Sequence, residues 1–269
     1  MTEAIQAPAT LNAEPKHAPH FSYTRIQKYL TCPEQYRLYY VERLRAKEES
    51  ASLVFGAIVH LALAEFFRHG LEPVATFEKE WQAIREVKLR YSKRHSWGSL
   101  SLTGKQLLGK FLQEEARKIT KVIAVEQVFE FYLSGLDLTF VTVLDLVAEV
   151  NGKKTLVEFK TAANDFERFE VELMDQATAY HLADPEIEQV GVCILVKTKK
   201  PQIRWHFTRR SPEEVIEYLR KVDAVAHAIR SDIFFRRPGK WCRQCDFLPV
   251  CVGDERKTKE NLVRITQSQ

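Results

Sequence analysis

The N-terminal part of the chain carries apolar residues at the three- and four-residue spacing of helices. This spacing predicts helices that begin near residues 22, 53, 73 and 103. Ser22 or Thr24 can cap the first helix, which Pro33 interrupts, and Gly70 is a typical stop for the second. The last two helices run to about residues 93 and 125, and residues 96–99 are predicted to be the loop between them. The first part of the chain is thus predicted to be helical.

The pattern changes near residue 126 to the alternation of apolar and polar residues that is typical of strands. Strands are predicted at residues 127–134, 138–150, 154–160, 189–197 and 203–208. Asn151-Gly152, between the second and the third strand, is a strong hairpin signal. Helices are predicted over residues 168–183 and 211–230. This order predicts an α/β fold with one mixed central sheet and the helical section packed against it.

These elements predict a single domain over residues 22–253. Within it lie the helical section to about residue 125, a core over about 126–235 and a cysteine-bearing loop at 238–253. Residues 1–21 lack a sustained periodicity and are expected to be a disordered tail, and residues 254–269 a charged tail.

The composition is that of a globular protein. The chain has 269 residues, of which 45% are hydrophobic and 28% charged, and this balance excludes a mainly disordered chain. No apolar run approaches the roughly 18–20 uncharged residues that a membrane span requires. The first twenty residues lack the basic-then-apolar layout of a secretion signal. We therefore expect a soluble, cytoplasmic protein with no membrane partner.

Basic residues are concentrated in the C-terminal third of the chain, although the net charge is only +4. From Lys197 onward there are 17 Lys and Arg against 9 Asp and Glu. A cationic surface suits a polyanion such as nucleic acid, but an ordinary solvated surface gives the same count. Charge alone leaves both interpretations open.

Two carboxylates and a lysine are predicted to meet at one edge of the sheet. Side chains alternate along a strand, so Glu158 and Lys160 project to one face and Phe159 to the other. Asp145 approaches them if its strand pairs across the predicted hairpin. Two carboxylates can bind Mg²⁺ or Mn²⁺, and a lysine beside the ion can hold or deprotonate a water molecule. The alternative is a solvent-facing Glu-x-Lys pair on an edge strand, because so short a motif often arises by chance.

Three further polar residues each have two interpretations. His60 lies in an apolar helical stretch, where a histidine is more often a hydrogen-bonded core residue than a ligand. Gln176 and Tyr180 lie four residues apart on one helix face, which can contact a nucleic-acid backbone or simply be half-buried. None of the three indicates a site by itself.

Four of the five cysteines have the spacing of ligands. Cys242, Cys245 and Cys251 lie within ten residues, Cys32 is distant from them, and Cys193 belongs to an apolar strand. The odd number of cysteines and the lack of an export signal argue against disulfides. Four thiolates suit zinc or an iron–sulfur cluster, and the three-plus-one spacing favours a 4Fe–4S cluster because zinc ribbons more often have two close pairs. Unrelated buried thiols are the remaining alternative.

Several of these motifs are similar, in their order along the chain, to the blocks of one nuclease family. Residues 22–37 read S-Y-T-x-I-x-x-Y-x-x-C-P-x-x-Y-R, residues 56–60 G-x-x-x-H, residues 158–160 E-F-K and residues 176–180 Q-x-x-x-Y. Together with Asp145 and the C-terminal cysteines, they resemble the RecB-like branch of the PD-(D/E)XK nucleases. The resemblance spans residues 22–253 and is strongest to the iron–sulfur members, which include CRISPR-adaptation nucleases and the nuclease domain of AddB-type recombination helicases.

The resemblance implies a restriction-endonuclease-like core and a role for each matching residue. The implied ligands of Mg²⁺ or Mn²⁺ are His60, Asp145, Glu158 and the main-chain carbonyl of Phe159. Lys160 is implied to orient and activate the attacking water, and Gln176 and Tyr180 to lie near the active site and the DNA. The implied cluster ligands are Cys32, Cys242, Cys245 and Cys251. Glu126, in a stretch that looks like the family's acidic strand entry, is a further acidic candidate.

One position departs from the family pattern. The family commonly has Gly-x-[Ile/Val]-Asp on this strand, whereas here Thr142 stands three residues before Asp145 and Leu144 directly before it. Glycine permits close backbone packing. The departure therefore bears on the register of this strand and on the catalytic rate.

The function expected from the resemblance is a metal-dependent deoxyribonuclease that leaves 5′-phosphate products. An exonuclease acting on single-stranded DNA ends is favoured, because a basic groove with aromatic side chains suits a single strand. The expected partners are DNA and helicase, recombination or CRISPR-adaptation proteins. The alternative is a non-catalytic, DNA-binding iron–sulfur module of a helicase or an adaptation complex. A nuclease that holds zinc in place of the cluster is a second alternative.

Overall fold

The computed structural model describes residues 20–184 and 186–265 of the chain. Most of the predicted N-terminal tail, residues 1–19, lies outside the described residues, as do residues 185 and 266–269. The predicted charged tail after residue 253 contains a helix and a short strand in its described part.

Ten α-helices and nine β-strands are formed within the described ranges. The helices are α1 (Tyr23–Thr31), α2 (Pro33–Tyr36), α3 (Ala51–His69), α4 (Pro73–Ala83), α5 (Trp97–Glu114), α6 (Arg168–Glu172), α7 (Asp175–Ala183), α8 (Pro212–Arg230), α9 (Leu248–Cys251) and α10 (Glu255–Asn261). The strands are β1 (Leu44–Ala46), β2 (Glu49–Ser50), β3 (Leu89–Arg90), β4 (Ile119–Leu133), β5 (Leu138–Val150), β6 (Lys153–Ala162), β7 (Gln189–Val196), β8 (Gln202–Thr208) and β9 (Leu262–Arg264).

The main sheet has five strands in the order β4-β5-β6-β7-β8. Strand β6 pairs antiparallel with β5 and parallel with β7, and β7 pairs antiparallel with β8. The β5–β6 hairpin turns at Asn151 and Gly152, whose φ angles of 52° and 74° lie in the left-handed region that Asn-Gly turns favour. The predicted α/β fold with a mixed central sheet is confirmed.

Apolar residues cover both faces of the sheet. On one face a large cluster joins the sheet to α3, α4 and α5 and includes Phe55, Phe111 and Phe159. On the other face a second cluster includes Val171 of α6 and Tyr180 of α7. Every residue of β7 is buried, as expected for a strand that lies between two others and under two helical layers.

Helix α3 is apolar and long enough to cross a membrane by length and composition alone. Its residues Phe55, Val59 and Leu63 have no exposed surface and pack in the first cluster. We therefore interpret α3 as a helix of the protein core. It ends at Gly70, whose φ of 71° is that of a left-handed helix cap, as predicted.

Three predicted helices have different limits in the structure. Helix α4 ends ten residues earlier than predicted, at Ala83. The predicted loop at residues 96–99 is wrong, because Ser96 and Ser99 form a reciprocal capping box that begins α5. Residues 119–125 belong to strand β4 rather than to a helix, so the helical section ends before residue 119. The predicted helix over 168–183 is two helices, α6 and α7.

The chain divides into two compact units, each built from several segments. The first unit contains Ser50–Phe129 and Val143–Arg210. The second contains His20–Glu49, Glu130–Thr142 and the residues from Ser211 onward. The predicted carboxylates and lysine lie in the first unit and the four spaced cysteines in the second. The single domain over residues 22–253 stays a prediction.

Candidate active site

Strand β6 carries the acid and the amine that the Glu-x-Lys motif predicts. The side chain of Glu158 is 3% exposed, and Lys160 Nζ lies 2.5 Å from Glu158 Oε1. Phe159, between them, points to the opposite face of the sheet, where its ring packs against Phe67 and Phe111. The predicted alternation of these side chains is confirmed.

Asp145 connects β5 to both β6 and α3. Its Oδ2 accepts a hydrogen bond of 2.9 Å from the main-chain N–H of Phe159 and lies 3.4 Å from Nδ1 of His60. Burial alone would raise the pKa of Asp145, but the His60 imidazole and the Phe159 N–H lower it below its usual value. Burial would lower the pKa of His60, but the charge of Asp145 and its hydrogen bond with the imidazole raise this pKa above its usual value. The structure therefore brings the histidine of the helix to the aspartate of the sheet.

Glu158 is surrounded by donors from α7 and β6. Gln176 Nε2 donates to its Oε1 at 2.9 Å and the Tyr180 hydroxyl to its Oε2 at 2.5 Å. Gln176 Oε1 in turn accepts from Lys160 Nζ at 2.8 Å. Burial and the negative charge of Asp145 raise the pKa of Glu158. Tyr180 is buried, and its hydroxyl donates to Glu158 and accepts from Gln176. Its predicted contact with substrate stays a prediction.

Glu126 lines a small cavity beside Asp145. The residues that line it are His60, Ala64, Phe67, Glu126, Asp145 and Phe159. Its φ of 46° is in the left-handed region although it lies inside strand β4, so the backbone is strained there. Arg68 Nη2 of α3 forms an ion pair with its carboxylate at 3.0 Å. Sequence reasoning missed Arg68, because no motif marks it and a positive φ at a glutamate is not visible in a sequence.

This donor set suits a hard divalent cation. Carboxylate oxygens and an imidazole nitrogen are ligands that Mg²⁺ or Mn²⁺ accept. Over residues 20–184 and 186–265, however, no three His, Cys, Asp or Glu side chains are arranged as a metal site. The carboxylate of Glu158 is instead held by Gln176, Tyr180 and Lys160.

Comparison with known families identifies the superfamily of the chain. Residues 20–252 match the family described as "PD-(D/E)XK nuclease superfamily". The chain belongs to this superfamily. Its five-stranded mixed sheet with helices is the restriction-endonuclease-like fold of PD-(D/E)XK nucleases, as predicted.

Solved structures that are similar to the PD-(D/E)XK chain share little sequence with it. One is the "Putative exonuclease" from Eubacterium rectale, with a TM-score of 0.55, 11% identity, and coverage of 84% of this chain and 86% of that one. Another is LHK-Exo in complex with dAMP, with a TM-score of 0.32 and 10% identity. The match covers 75% of this chain and 97% of that one. Among curated proteins, none matches the sequence significantly.

The second unit of this PD-(D/E)XK nuclease contains the four spaced cysteines, all of them free and partly exposed. Burial raises the pKa of the Cys251 thiol, and the charges of Cys32 and Cys242 raise it further. Burial likewise raises the pKa of Cys245, with contributions from Cys251 and Cys242. Gln35 Nε2 lies 3.6 Å from Cys245 Sγ and donates to it. Neighbouring cysteines thus affect both of these thiols, although over the described residues no three cysteine side chains are arranged as a metal site.

Proposed function

We propose that this protein is a metal-dependent deoxyribonuclease. The observation that carries the proposal is the cluster of Asp145, Glu158 and Lys160 on adjacent strands of a PD-(D/E)XK fold, with His60 beside Asp145. Mg²⁺ or Mn²⁺ would be held by His60, Asp145, Glu158 and the carbonyl of Phe159. When bound, the ion supplies Lewis-acid polarisation of the scissile phosphate and charge stabilisation of the leaving oxygen.

The residues of the chain orient the water and balance the charge. Lys160, held between Glu158 and Gln176, positions the attacking water and offsets the negative charge of the transition state. In-line attack of that water forms a new P–O bond and breaks the bond from phosphorus to the 3′-oxygen. The attacking water gives up a proton and the leaving 3′-oxygen takes one up, so the products are a 5′-phosphate and a 3′-hydroxyl.

The proposed substrate is single-stranded DNA, attacked from its ends. The basic excess of the C-terminal third supports binding of a polyanion, and exonuclease action is supported by the name of the Eubacterium rectale neighbour. The four cysteines support the RecB-like iron–sulfur branch. The resemblance to that branch is the ground for proposing a cytoplasmic location and helicase, recombination or CRISPR-adaptation partners.

End-labelled oligonucleotides test the nuclease directly. Wild-type protein is expected to cleave 5′- and 3′-labelled single strands in Mg²⁺ or Mn²⁺, and Asp145→Ala and Lys160→Ala are expected to abolish cleavage. Glu149→Ala on β5 and Lys153→Ala on β6 are matched controls outside the site, and both are expected to cleave normally. Equal cleavage by all five proteins rejects the proposal. DNA binding without cleavage by the wild type supports the non-catalytic alternative.

We also propose that Cys32, Cys242, Cys245 and Cys251 hold a 4Fe–4S cluster with a structural role. The three-plus-one spacing of the four cysteines supports this proposal, since four thiolates suit such a cluster, and the Gln35 amide donates to Cys245 Sγ a hydrogen bond of the kind that surrounds cluster sulfurs. The cluster would close a loop of some two hundred residues, so its loss should loosen both ends of that loop.

Metal analysis separates this proposal from its zinc alternative. Protein purified without oxygen is expected to be brown, to absorb near about 400 nm and to contain iron. Cys251→Ser should lose the iron, whereas Cys193→Ala, which changes a buried thiol of β7, should retain it. Colourless wild-type protein that contains only zinc rejects the cluster.

A further inference from the structure

The junction between α6 and α7 determines where Gln176 lies. Helix α6 ends at Glu172 and α7 begins at Asp175, so Gln176 is the second residue of its helix. Met174, the N-cap residue of α7, makes no side-chain capping hydrogen bond. The position of the Gln176 amide between Lys160 and Glu158 therefore depends on what holds this junction.

Arg210 lies two residues after the end of β8, and its guanidinium donates hydrogen bonds to main-chain carbonyl groups of the α6–α7 junction. Its Nη1 donates to the carbonyl of Glu172 at 2.6 Å, and its Nη2 donates to those of Val171 and Met174, each at 3.0 Å. Nη1 also donates to the hydroxyl of Thr208 at 3.1 Å, which fixes the guanidinium to β8. One side chain thus binds the end of α6 and the cap residue of α7.

The carbonyl of Met174 links this contact to the first turn of α7. It accepts one hydrogen bond from Arg210 and another, at 3.0 Å, from the N–H of Ala177. Ala177 is the residue directly after Gln176. Carbonyls at the end of a helix lack partners within the helix, and a guanidinium presents several donors in one rigid plane. A lysine carries the same charge but lacks that planar fork.

We propose that Arg210 is a positioning residue for Gln176 and, through it, for Lys160 and Glu158. The inference rests on the proposed nuclease function for its effect on rate. Arg210 acts through the backbone of the α6–α7 junction, because it donates to three main-chain carbonyls there.

Loss of this contact is expected to act on kcat. At saturating DNA, Arg210→Ala and Arg210→Lys should lower kcat by roughly 10²-fold, the scale expected for a small misplacement of catalytic groups, with little change in KM. Arg168→Ala is the matched control. Arg168 also lies near the junction and is exposed, and it forms an ion pair with the side chain of Glu172 at 2.6 Å. Because this ion pair does not involve a main-chain carbonyl, the kcat of Arg168→Ala should stay at the wild-type value.

Two further measurements distinguish positioning from a loss of folding. In a double-mutant cycle, adding Arg210→Ala to Gln176→Ala should lower kcat little further, because both changes act through the Gln176 amide. Millimolar guanidinium should restore part of the kcat of Arg210→Ala and none of that of Gln176→Ala. Wild-type kcat in both Arg210 variants, or full additivity with Gln176→Ala, overturns the inference.

Hydrogen exchange tests the positioning without DNA or metal. Arg210→Lys should increase amide exchange over residues 173–180, and Arg168→Ala should not. Unchanged exchange in Arg210→Lys overturns the inference even if the enzyme is active. Absence of cleavage by the wild type, with the expected change in exchange, rejects the proposed function and leaves the positioning role supported.

Discussion

A buried carboxylate explains the polar residues of α7. Glu158 is almost fully buried, and a buried charge is costly unless hydrogen-bond donors surround it. Gln176 and Tyr180 lie four residues apart, so both side chains reach the same carboxylate from one helix face. Their spacing is therefore explained by Glu158 itself, whatever further contact they make with DNA.

A second carboxylate, Glu34 in the second unit, allows a prediction for stability against pH. Its oxygens accept two hydrogen bonds of 2.8 Å from Arg37, and its side chain is 13% exposed. The hydrogen bond from Arg37 lowers the pKa of Glu34 below its usual value. Glu34→Gln should therefore reduce the free energy of unfolding at pH 7 by about 1 kcal/mol.

The sign of the pH dependence follows from the lowered pKa. The stabilisation is fully present above the unfolded-state pKa of about 4.3 and is lost as pH falls through the lower folded-state pKa. Urea unfolding from pH 7 downward should show the wild-type and Glu34→Gln curves converging below that pH. Glu260→Gln, which affects an exposed pair with Arg256 at 3.6 Å, is the control and should change little at any pH. A pH-independent gap for Glu34→Gln would contradict the assignment.

At the scale of elements, α4 and α5 pack closely through a glycine. A Cβ on Gly104 of α5 would lie only 2.1 Å from the ring of Phe77 of α4, whereas a Cβ on Gly109 of the same helix would have nothing within 4 Å. Both glycines lie inside a helix, where alanine is normally preferred. The same substitution should therefore have opposite effects at the two positions.

Gly104→Ala should destabilise the protein by about 1–3 kcal/mol, because the fully buried Phe77 ring must move to admit the methyl group. Gly109→Ala should stabilise it by about 0.5–1 kcal/mol through helix propensity alone. Denaturant unfolding of both variants under the same conditions measures the difference. If both substitutions changed the free energy of unfolding in the same direction, α4 and α5 would not pack as described.

The elements also show where sequence patterns were sufficient. Strand β5 and helix α3 were predicted closely, because an Asn-Gly turn and a C-terminal glycine mark their ends. The start of α5 was missed, since its capping serines resemble loop residues until their reciprocal hydrogen bonds are seen. Residues 119–125 have spacing that suits either a helix or a strand, and only pairing in the sheet decides between them.

At the scale of the molecule, the candidate site is assembled from distant segments of the chain. Alternation within β6 and a hairpin signal predicted that Asp145 approaches Glu158 and Lys160 if its strand pairs across the turn, and they left a solvent-facing Glu-x-Lys pair as the alternative. The approach of His60 came from the family resemblance, because no local pattern places a helix over a sheet. Arg68 and Arg210 could not be predicted, since each acts on a main-chain carbonyl or a strained residue far away in sequence.

The second unit joins residues from both ends of the described chain. Strand β1 pairs antiparallel with β9, and Arg264 of β9 forms an ion pair with Glu42 just before β1. Leu262 of β9 is buried in a cluster with Leu38 and Phe247, against which Cys245 packs. The C-terminal strand therefore supports the loop that carries three of the proposed cluster ligands.

Substitutions at neighbouring positions of β9 test this role. Leu262 is 6% exposed and Val263 is 44% exposed, so Leu262→Ala should reduce the free energy of unfolding by about 2–3 kcal/mol and Val263→Ala by less than about 1. Circular dichroism during urea unfolding measures both. Because Cys245 packs against the same cluster, Leu262→Ala should also release iron to a chelator faster than Val263→Ala does. Equal stability of the two variants would show that β9 does not stabilise this unit. If their stability differed but iron release did not, β9 would stabilise the unit without supporting the cysteine loop.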